Sequence, residues 1–553
     1  MKTRRDFLRE AGVTLGALAA SPQLRADELA IPDPVHQSTI RGLMVDAGRV
    51  PESLDYYRRV IEFSSDWELN TLHFRLTDDQ GSALRFTSVP DLVTHKNAFT
   101  PEQLRTLAEY AKHHGVDLIP EIESFGHTGY ITRSPTYTHL LDSSPQDSSE
   151  FNGICPVDPE TLRLFEKLYR EVATIFPSVY FHGGCDEVNW GGSALSRKAL
   201  QTRTRAQIWA EYLNSLYRIA QGLGKDFIVW GDVVVHKEPA ILPQLNKSII
   251  VMDWNYSETS SAKIQETYLK IRANGSRAIG APALIRYLWG PRAGTPQLRN
   301  IDAFAEAYRR PDDPASLGVV LTNWIPSRYL QNSIWDGFAY AAVALNQGAA
   351  AAQASAFRRF VERHYGSSWN GTWDEAFRLI YEDAPYVEDG EASSWKGVRL
   401  RTPWSDDEQL TAVLKSGAPR PNPYTHLRGL PDQLQPSVKK NLPDFQSFAL
   451  CIEYLEAVLW RESVIIEIKQ PIAPQSATEL IQKIAQKDQA ILKALTDDWD
   501  KGRPADSPAK SEPLVGLQPK DQLLFQWKRA AAYSASLAKN PDHFRQLVSK
   551  ATA

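Results

Sequence analysis

The chain has 553 residues, 42% of them hydrophobic and 23% charged, which is ordinary globular composition with enough apolar content for a sizeable core. This excludes a disordered or collagen-like chain, and at about 150 residues per domain the length fits three or four units or one large barrel with additions. A formal net charge of -4 excludes a basic surface that coats nucleic acid, and three cysteines (Cys155, Cys185, Cys451) are too few and scattered for a disulfide framework or zinc cluster.

The chain opens MKTRRDFLREAGVTLGALAAS. Arg4 and Arg5 precede Phe7 and Leu8, and an apolar stretch runs from Ala11 to Ala20. This order resembles a twin-arginine export signal over residues 1–26, with small-residue cleavage sites closing at Ala19 or Ala26. The apolar run is too short to span a bilayer, and no later segment reads as a membrane span. The expected product is an exported protein, periplasmic or extracellular.

From about residue 38 to 350, short β-rich runs alternate with helical periodicity, the pattern of βα units around a parallel sheet. Candidate strands are RGLMVDA (41–47), LNTLHFRL (69–76), VDLIPEIE (116–123), SVYFHGG (178–184), DFIVWGD (226–232), SIIVMDW (248–254), SRAIGAP (276–282) and LGVVLTNW (317–324). Candidate helices begin near residues 51, 100, 158 and 205, and the last two carry capping signals at both ends. Eight strands over this length predict an α/β fold, a TIM (β/α)8 barrel. A doubly wound sheet would need a Gly-rich phosphate loop after the first strand, where the chain reads AGRVPES.

After residue 350 the strand signal stops. Residues 353–366 and 372–382 read as helices, GAPRPNPYTHLRGLPDQLQP (417–436) breaks the pattern, and amphipathic stretches follow from 447, 476 and 519. Residues 351–553 are therefore expected to be a mostly helical C-terminal region.

TIM-barrel sites lie at the C-terminal ends of the strands. Polar residues accumulate there: Asp46 after the first strand, Asp78 and Asp79 after the second, Glu121, Glu123 and His127 after the third, and His182, Asp186 and Glu187 after the fourth. Trp230 and Asp232 follow the fifth strand, Asp253 and Trp254 the sixth, and Asn323 and Trp324 the eighth, while Arg41 starts the first. One carboxylate alone reads as a loop residue or helix cap. Carboxylates, histidines and tryptophans on seven strand ends together point to acid–base work on a polar substrate with an apolar face, such as a sugar.

Asp186 and Glu187 are neighbours, and neighbours on a strand face opposite ways. They share a site only where the strand frays, which Gly183 and Gly184 permit. Adjacent carboxylates are poorly placed to flank a glycosidic carbon as acid and nucleophile, which need about 5 Å between them, usually from separate strands. They suit substrate assistance better: one is the general acid and the other steers a substrate acetamide. Like charge nearby is expected to raise the acid's pKa.

FHGGCDEV (181–188) resembles the His-x-Gly-Gly-Asp-Glu signature of glycoside hydrolase family 20, the β-N-acetylhexosaminidases. RGLMVDAGR (41–49), LNTLHFRLTDDQG (69–81), LIPEIESFGHT (118–128), CPVDPETLRLFEKLYREVATIFP (155–177), GKDFIVWGDVV (224–234) and IIVMDW (249–254) are similar to that family's segments in the same order. The resemblance implies that Glu187 is the general acid/base and that Asp186 orients and polarises the 2-acetamido nucleophile, which forms an oxazolinium intermediate. It further implies that Arg41 binds ring hydroxyls, and that Asp78 or Asp79 with His127 supports the acid. His182 becomes a supporting partner, and Trp230, Trp254 and Trp324 wall the acetamido pocket, with barrel packing an equal reading for Trp230. Asp232 is counted with the substrate-binding residues and Glu123 with the supporting ones.

The chain departs from the family pattern at Cys185 (a Gly in the signature), Glu123 (an Asp), Phe125 (a Pro) and Ser82 (a Trp). APALIRYLWG (281–290) has only Tyr287 and Trp289 near the family's strand-seven Tyr, and Trp324-Ile325-Pro326 lacks the strand-eight Glu that reads outer sugar hydroxyls. The expected activity is removal of terminal β-linked N-acetylglucosamine or N-acetylgalactosamine from an oligosaccharide or glycoconjugate, without metal or cofactor. A glycosidase for a modified hexosamine and a glycan-binding barrel without turnover are the alternatives.

Overall fold

The computed structural model describes residues 39–143, 153–285, 295–383, 403–415, 424–468, 472–508, 510, 514–515 and 522–552. The predicted export signal, Tyr287 and Trp289 lie outside the described residues. Eight parallel strands close a barrel: β1 (Ile40–Asp46), β2 (Thr71–Arg75), β3 (Asp117–Glu121), β4 (Tyr180–His182), β5 (Asp226–Trp230), β6 (Ile250–Asp253), β7 (Ala278–Gly280) and β8 (Ser316–Asn323). Closure comes from β1 pairing with β8 in parallel, Ile40 opposite Gly318 and Leu43 opposite Leu321.

Alternation along each strand decides what fills the barrel. Leu43 and Val45, Leu72 and Phe74, and Phe227 and Val229 point outward and join the core beneath the helices. The intervening Ile40 and Met44, Ile119, Ile228 and Trp230, and Ile250 and Met252 fill the interior. Toward the C-terminal end the inward positions turn polar, because β1 ends in Asp46, β2 carries His73 and Arg75, β3 ends in Glu121 and β4 in His182, all buried. A charged layer thus sits on an apolar one.

Seven long helices flank the barrel: α1 (Leu54–Asp66), α2 (Pro101–His113), α3 (Pro159–Ile175), α4 (Arg205–Gly222), α5 (Ser261–Ala273), α6 (Thr295–Tyr308) and α7 (Trp335–Gln347). Their starts are written locally. Ser53 and Asp158 cap α1 and α3, and Thr100 with Gln103 and Thr204 with Gln207 form capping boxes on α2 and α4. The connection from β5 to β6 instead holds short turns at Asp232–Lys237 and Leu242–Gln244.

Gly348, with φ 96°, ends α7, and the chain continues as helices. The longest are α8 (Leu442–Ile466), α9 (Pro474–Gly502) and α10 (Leu523–Lys539). Among the described residues no helix is long and apolar enough to cross a membrane. Helix α8 is held to the barrel by Asp444, whose two oxygens accept from Arg59 of α1 at 2.7 Å. The architecture is therefore a TIM barrel followed by a helical region.

Candidate active site at the C-terminal mouth of the barrel

The mouth is built from strand ends that leave regular geometry. Gly184 (φ 67°), Cys185 (φ 76°) and Glu187 (φ 46°) follow β4 in left-handed backbone, and His127 (φ 48°) does so after β3. Such conformations cost non-glycine residues about 1–3 kcal/mol each and persist only where surroundings enforce them. Gly184 is required on two counts, since a Cβ there would also stand 2.0 Å from Glu123 Oε2. Gly126 is required by proximity, because its Cβ would meet the Asp186 carbonyl oxygen at 2.0 Å. The twisted segment brings both adjacent carboxylates to the same ring: His127 Nε2 lies 3.3 Å from Glu187 Oε2 and 3.8 Å from Asp186 Oδ1. On its other side His127 Nδ1 is 3.6 Å from oxygens of both Asp78 and Asp79.

The proton balance of this cluster corrects one expectation. Burial works to raise the Glu187 carboxyl, but the hydrogen bond and charge of His127 outweigh it and hold Glu187 below its ordinary value. Burial works against the His127 cation, yet Asp78, Asp79, Glu187 and Asp186 raise the ring well above its ordinary value. Asp186 is the carboxyl that moves up, to about 7, through burial and the like charges of Asp232 and Glu187, against the pull of His127. Repulsion between the two carboxylates is mutual, but in Glu187 the contact with His127 outweighs it, so the rise shows in Asp186.

Beneath the pair lies a buried charged network centred on Arg75. Its NH1 reaches Asp46 at 3.1 Å and Asp78 at 2.5 Å, its NH2 donates to Glu123 at 2.7 Å, and Nε lies 3.5 Å from Glu121. Burial disfavours the cation, and these carboxylates outweigh it and raise Arg75 well above its ordinary value. Glu123 accepts the Cys185 N–H with its other oxygen at 3.1 Å, so Arg75 reaches the turn after β4 through one carboxylate. Arg49, just beyond β1, binds Asp46 at 2.9 Å and Asp78 at 3.2 Å and lies 5.4 Å from the Trp324 ring centre. His182 stacks on His73 at 4.7 Å and its Nδ1 accepts the Gly184 N–H at 2.9 Å; burial lowers it to about 3. It supports the turn.

The three tryptophans differ in what they touch. Trp324 packs 5.7 Å from Trp230 and donates Nε1 to the Tyr256 hydroxyl at 2.8 Å. Trp254 is half-buried and stacks on Tyr256 at 4.9 Å. Trp230 is 1% exposed and spends its N–H on Glu121 at 2.9 Å, so its part is packing and holding that carboxylate.

One predicted contact is corrected. Arg41 lies near the N-terminal end of β1, where it donates to the carbonyls of Glu68 and Thr39. Five strand residues at about 3.3 Å each separate it from Asp46 by about 16 Å, so it faces away from the mouth. The arginines at the site are Arg49 and Arg75. Asp232 is buried and its Oδ2 accepts from Lys237 at 2.9 Å and takes the Glu187 N–H at 3.4 Å, so it anchors the strained Glu187 backbone. Sequence reading missed Arg49, Arg75, Tyr256 and Lys237. Arg75 had a signal, a charged residue at an inward strand position, whereas Arg49 and Tyr256 stand in loops and Lys237 in the short turn after β5.

Three groups here have metal-ligand composition: His73, Glu121 and His182; Asp78, Asp79 and His127; and Glu123, His127 and Asp186. Each contains a carboxylate already within 3.5 Å of the Arg75 guanidinium, so an added cation would face a fixed positive charge. The donor set fits a hydrogen-bonded acid–base network better than a metal centre.

The mouth of this TIM barrel thus brings together two adjacent carboxylates, a histidine and tryptophans. Residues 39–310 match the model of the glycosyl hydrolase family 20 catalytic domain, and the barrel of this chain belongs to that family. The chain is 27% identical over 293 residues to a beta-hexosaminidase of Vibrio furnissii, covering 45% of this chain and 47% of that protein. It is 25% identical over 265 residues to the mouse beta-hexosaminidase subunit beta, covering 45% and 46%. It thus spans about half the length of these curated relatives. Among solved structures, the chitobiase of Flavobacterium johnsoniae aligns with 90% of this chain and 78% of its own at 16% identity, with a TM-score of 0.47.

Proposed function

We propose that this protein is an exo-acting glycoside hydrolase that removes terminal β-linked N-acetylhexosamine with retention, using the substrate's own acetamide as nucleophile. The observation that carries the reading is the pair of adjacent carboxylates held on one histidine, with Glu187 Oε2 and Asp186 Oδ1 at 3.3 and 3.8 Å from His127 Nε2. Adjacent carboxylates on one turn are poorly placed to flank a sugar carbon from opposite faces, which favours assistance by the substrate over a protein nucleophile. Asp186 Oδ1 is buried and, among the described residues, takes no hydrogen bond, so it suits an acetamide N–H.

In the first step the acetamide oxygen bonds to the anomeric carbon as the glycosidic bond breaks. Glu187 passes its proton to the leaving oxygen, and His127 supplies that proton across the 3.3 Å contact. Asp186, ionised, stabilises the positive charge of the oxazolinium. In the second step water attacks the same carbon, Glu187 takes a proton from it, and the acetamide is regenerated. Trp324 and Trp254 wall the acetamide.

A modified hexosamine is a second reading favoured by one feature: the turn after β8 carries Ile325 and Pro326 and offers no carboxylate for outer hydroxyls. Hydrolysis of aryl β-N-acetylglucosaminide and -galactosaminide, with the same sugars lacking the acetamide as controls, tests the proposal. Equal turnover without the acetamide, or a sugar trapped covalently on a carboxylate, overturns the mechanism. Tight binding without any turnover leaves a glycan-binding barrel instead. We also propose export through Arg4 and Arg5; normal export of the double lysine variant refutes it.

A further inference from the structure

The wall residue Trp324 is followed by Ile325, a β-branched residue with φ 57°. Left-handed backbone at such a residue is costly and needs outside restraint. From inside the mouth, Asp46 accepts the Ile325 N–H at 3.0 Å while it also binds Arg49 and Arg75. From outside, the restraint comes from the helical C-terminal region. Arg503, one residue past α9, donates NH2 to the carbonyls of Pro326 at 2.9 Å and Tyr329 at 3.2 Å. Its Nε donates to both oxygens of Glu52, in the loop after β1, at 3.0 and 3.1 Å. The Arg503 guanidinium stacks 3.8 Å from the Trp499 ring, and its side chain is 1% exposed.

The fork therefore joins two mouth loops to the last turn of α9, and α10 packs on the same Pro326–Arg328 turn. A lone ion pair would need only one nitrogen. Here the second nitrogen closes the turn that presents Trp324, a task for the planar, multi-donor guanidinium and not for an ammonium. We propose that Arg503 is a positioning residue for the acetamide pocket, so that the helical C-terminal region is a working wall of the site. It acts through the 325–329 turn on Trp324. This rests on the function proposed above, because Trp324 matters to selectivity only if an acetamide sits against it.

The test uses full-length Arg503→Lys and Glu52→Gln, with Arg503→Met as a harsher variant. Lysine can keep the pair with Glu52 but cannot also span two carbonyls. Backbone amides of 324–331 in Arg503→Lys should exchange with solvent about tenfold faster than in wild type, while thermal unfolding moves little. kcat/KM on aryl β-N-acetylglucosaminide should fall about tenfold, mostly in kcat, through misplacement of the nucleophile. The preference for N-acetyl over N-butyryl substrates should narrow as the wall loosens. A folded Arg503→Lys with wild-type exchange at 324–331 overturns the clamp, and faster exchange with unchanged acyl preference overturns its role in the pocket. If wild type cleaves no N-acetylhexosaminide, the proposed function and the pocket role fail together, while the exchange measurement still decides whether Arg503 holds the turn.

Discussion

The barrel mouth and the helical C-terminal region each bury an arginine among acids, and the two settle oppositely. In the helical region Arg461 of α8 faces Asp488 of α9 at 3.1 Å, both fully buried, between the rings of Trp404 and Trp527. There burial wins: it lowers Arg461 to about 10 and raises Asp488 to about 6, despite their mutual attraction. At the mouth, Arg75 is equally buried but meets Asp46, Asp78, Glu121 and Glu123, and attraction wins. The number of partners per buried cation decides the outcome. A single pair barely repays its desolvation, whereas a network shares one cation among several carboxylates that have further work.

The largest effect that would sharpen this contrast lies with the carboxylates the network supports. Glu187→Gln should lower turnover of natural substrates about 10²–10⁴-fold, with a smaller loss in the first step for aryl leaving groups that need little protonation. Asp186→Asn should reduce both substrate types together, since the charge that stabilises the oxazolinium is gone. Steady-state kinetics with matched leaving groups distinguishes the two, and identical profiles for both variants would break the division of roles.

Next in size is the helical pair. Arg461→Met alone should destabilise by about 3–5 kcal/mol, because Asp488 is left buried and unpaired. Adding Asp488→Leu should return most of that loss in urea unfolding, as a replaceable pair requires. If the double variant is no more stable than the single one, the pair is not the isolated contact described.

The pH dependence is a finer probe. Asp186 is raised, so its working carboxylate predominates only above about 7, and kcat/KM should climb through that region. His127 is held well above its ordinary value, so the proton for Glu187 persists to higher pH than a free imidazole allows, and activity falls when that ring deprotonates. Asp186→Asn should erase the acid limb from the residual activity; an unchanged limb assigns it elsewhere. The smallest effect is a designed absence. Arg41→Ala at the far end of β1 should leave KM within about twofold of wild type, whereas Arg49→Ala should raise it about tenfold or more by removing a buried donor at the mouth.

Much of this molecule is legible in one dimension. The eight strands, their parallel order and the capped helices follow from alternation, helical period and the Ser, Thr and Asp at helix starts, which are local properties. Asp186, Glu187 and His127 were legible because carboxylates and a histidine bounded by glycines at strand ends have few structural reasons to be there. The tertiary structure decided the rest. Which end of β1 meets the site put Arg49 there and Arg41 away, since inside and outside are visible in a strand pattern but top and bottom are not. The sharing of the proton depended on which carboxylate His127 touches at 3.3 Å, a distance set by left-handed turns no propensity encodes. Arg503 lies 451 residues beyond Glu52, and only folding of the intervening chain could bring that arginine to the mouth. Local chemistry writes the elements and the reactive residues, while contacts between distant segments, with energies that exist only once both are placed, assign their roles.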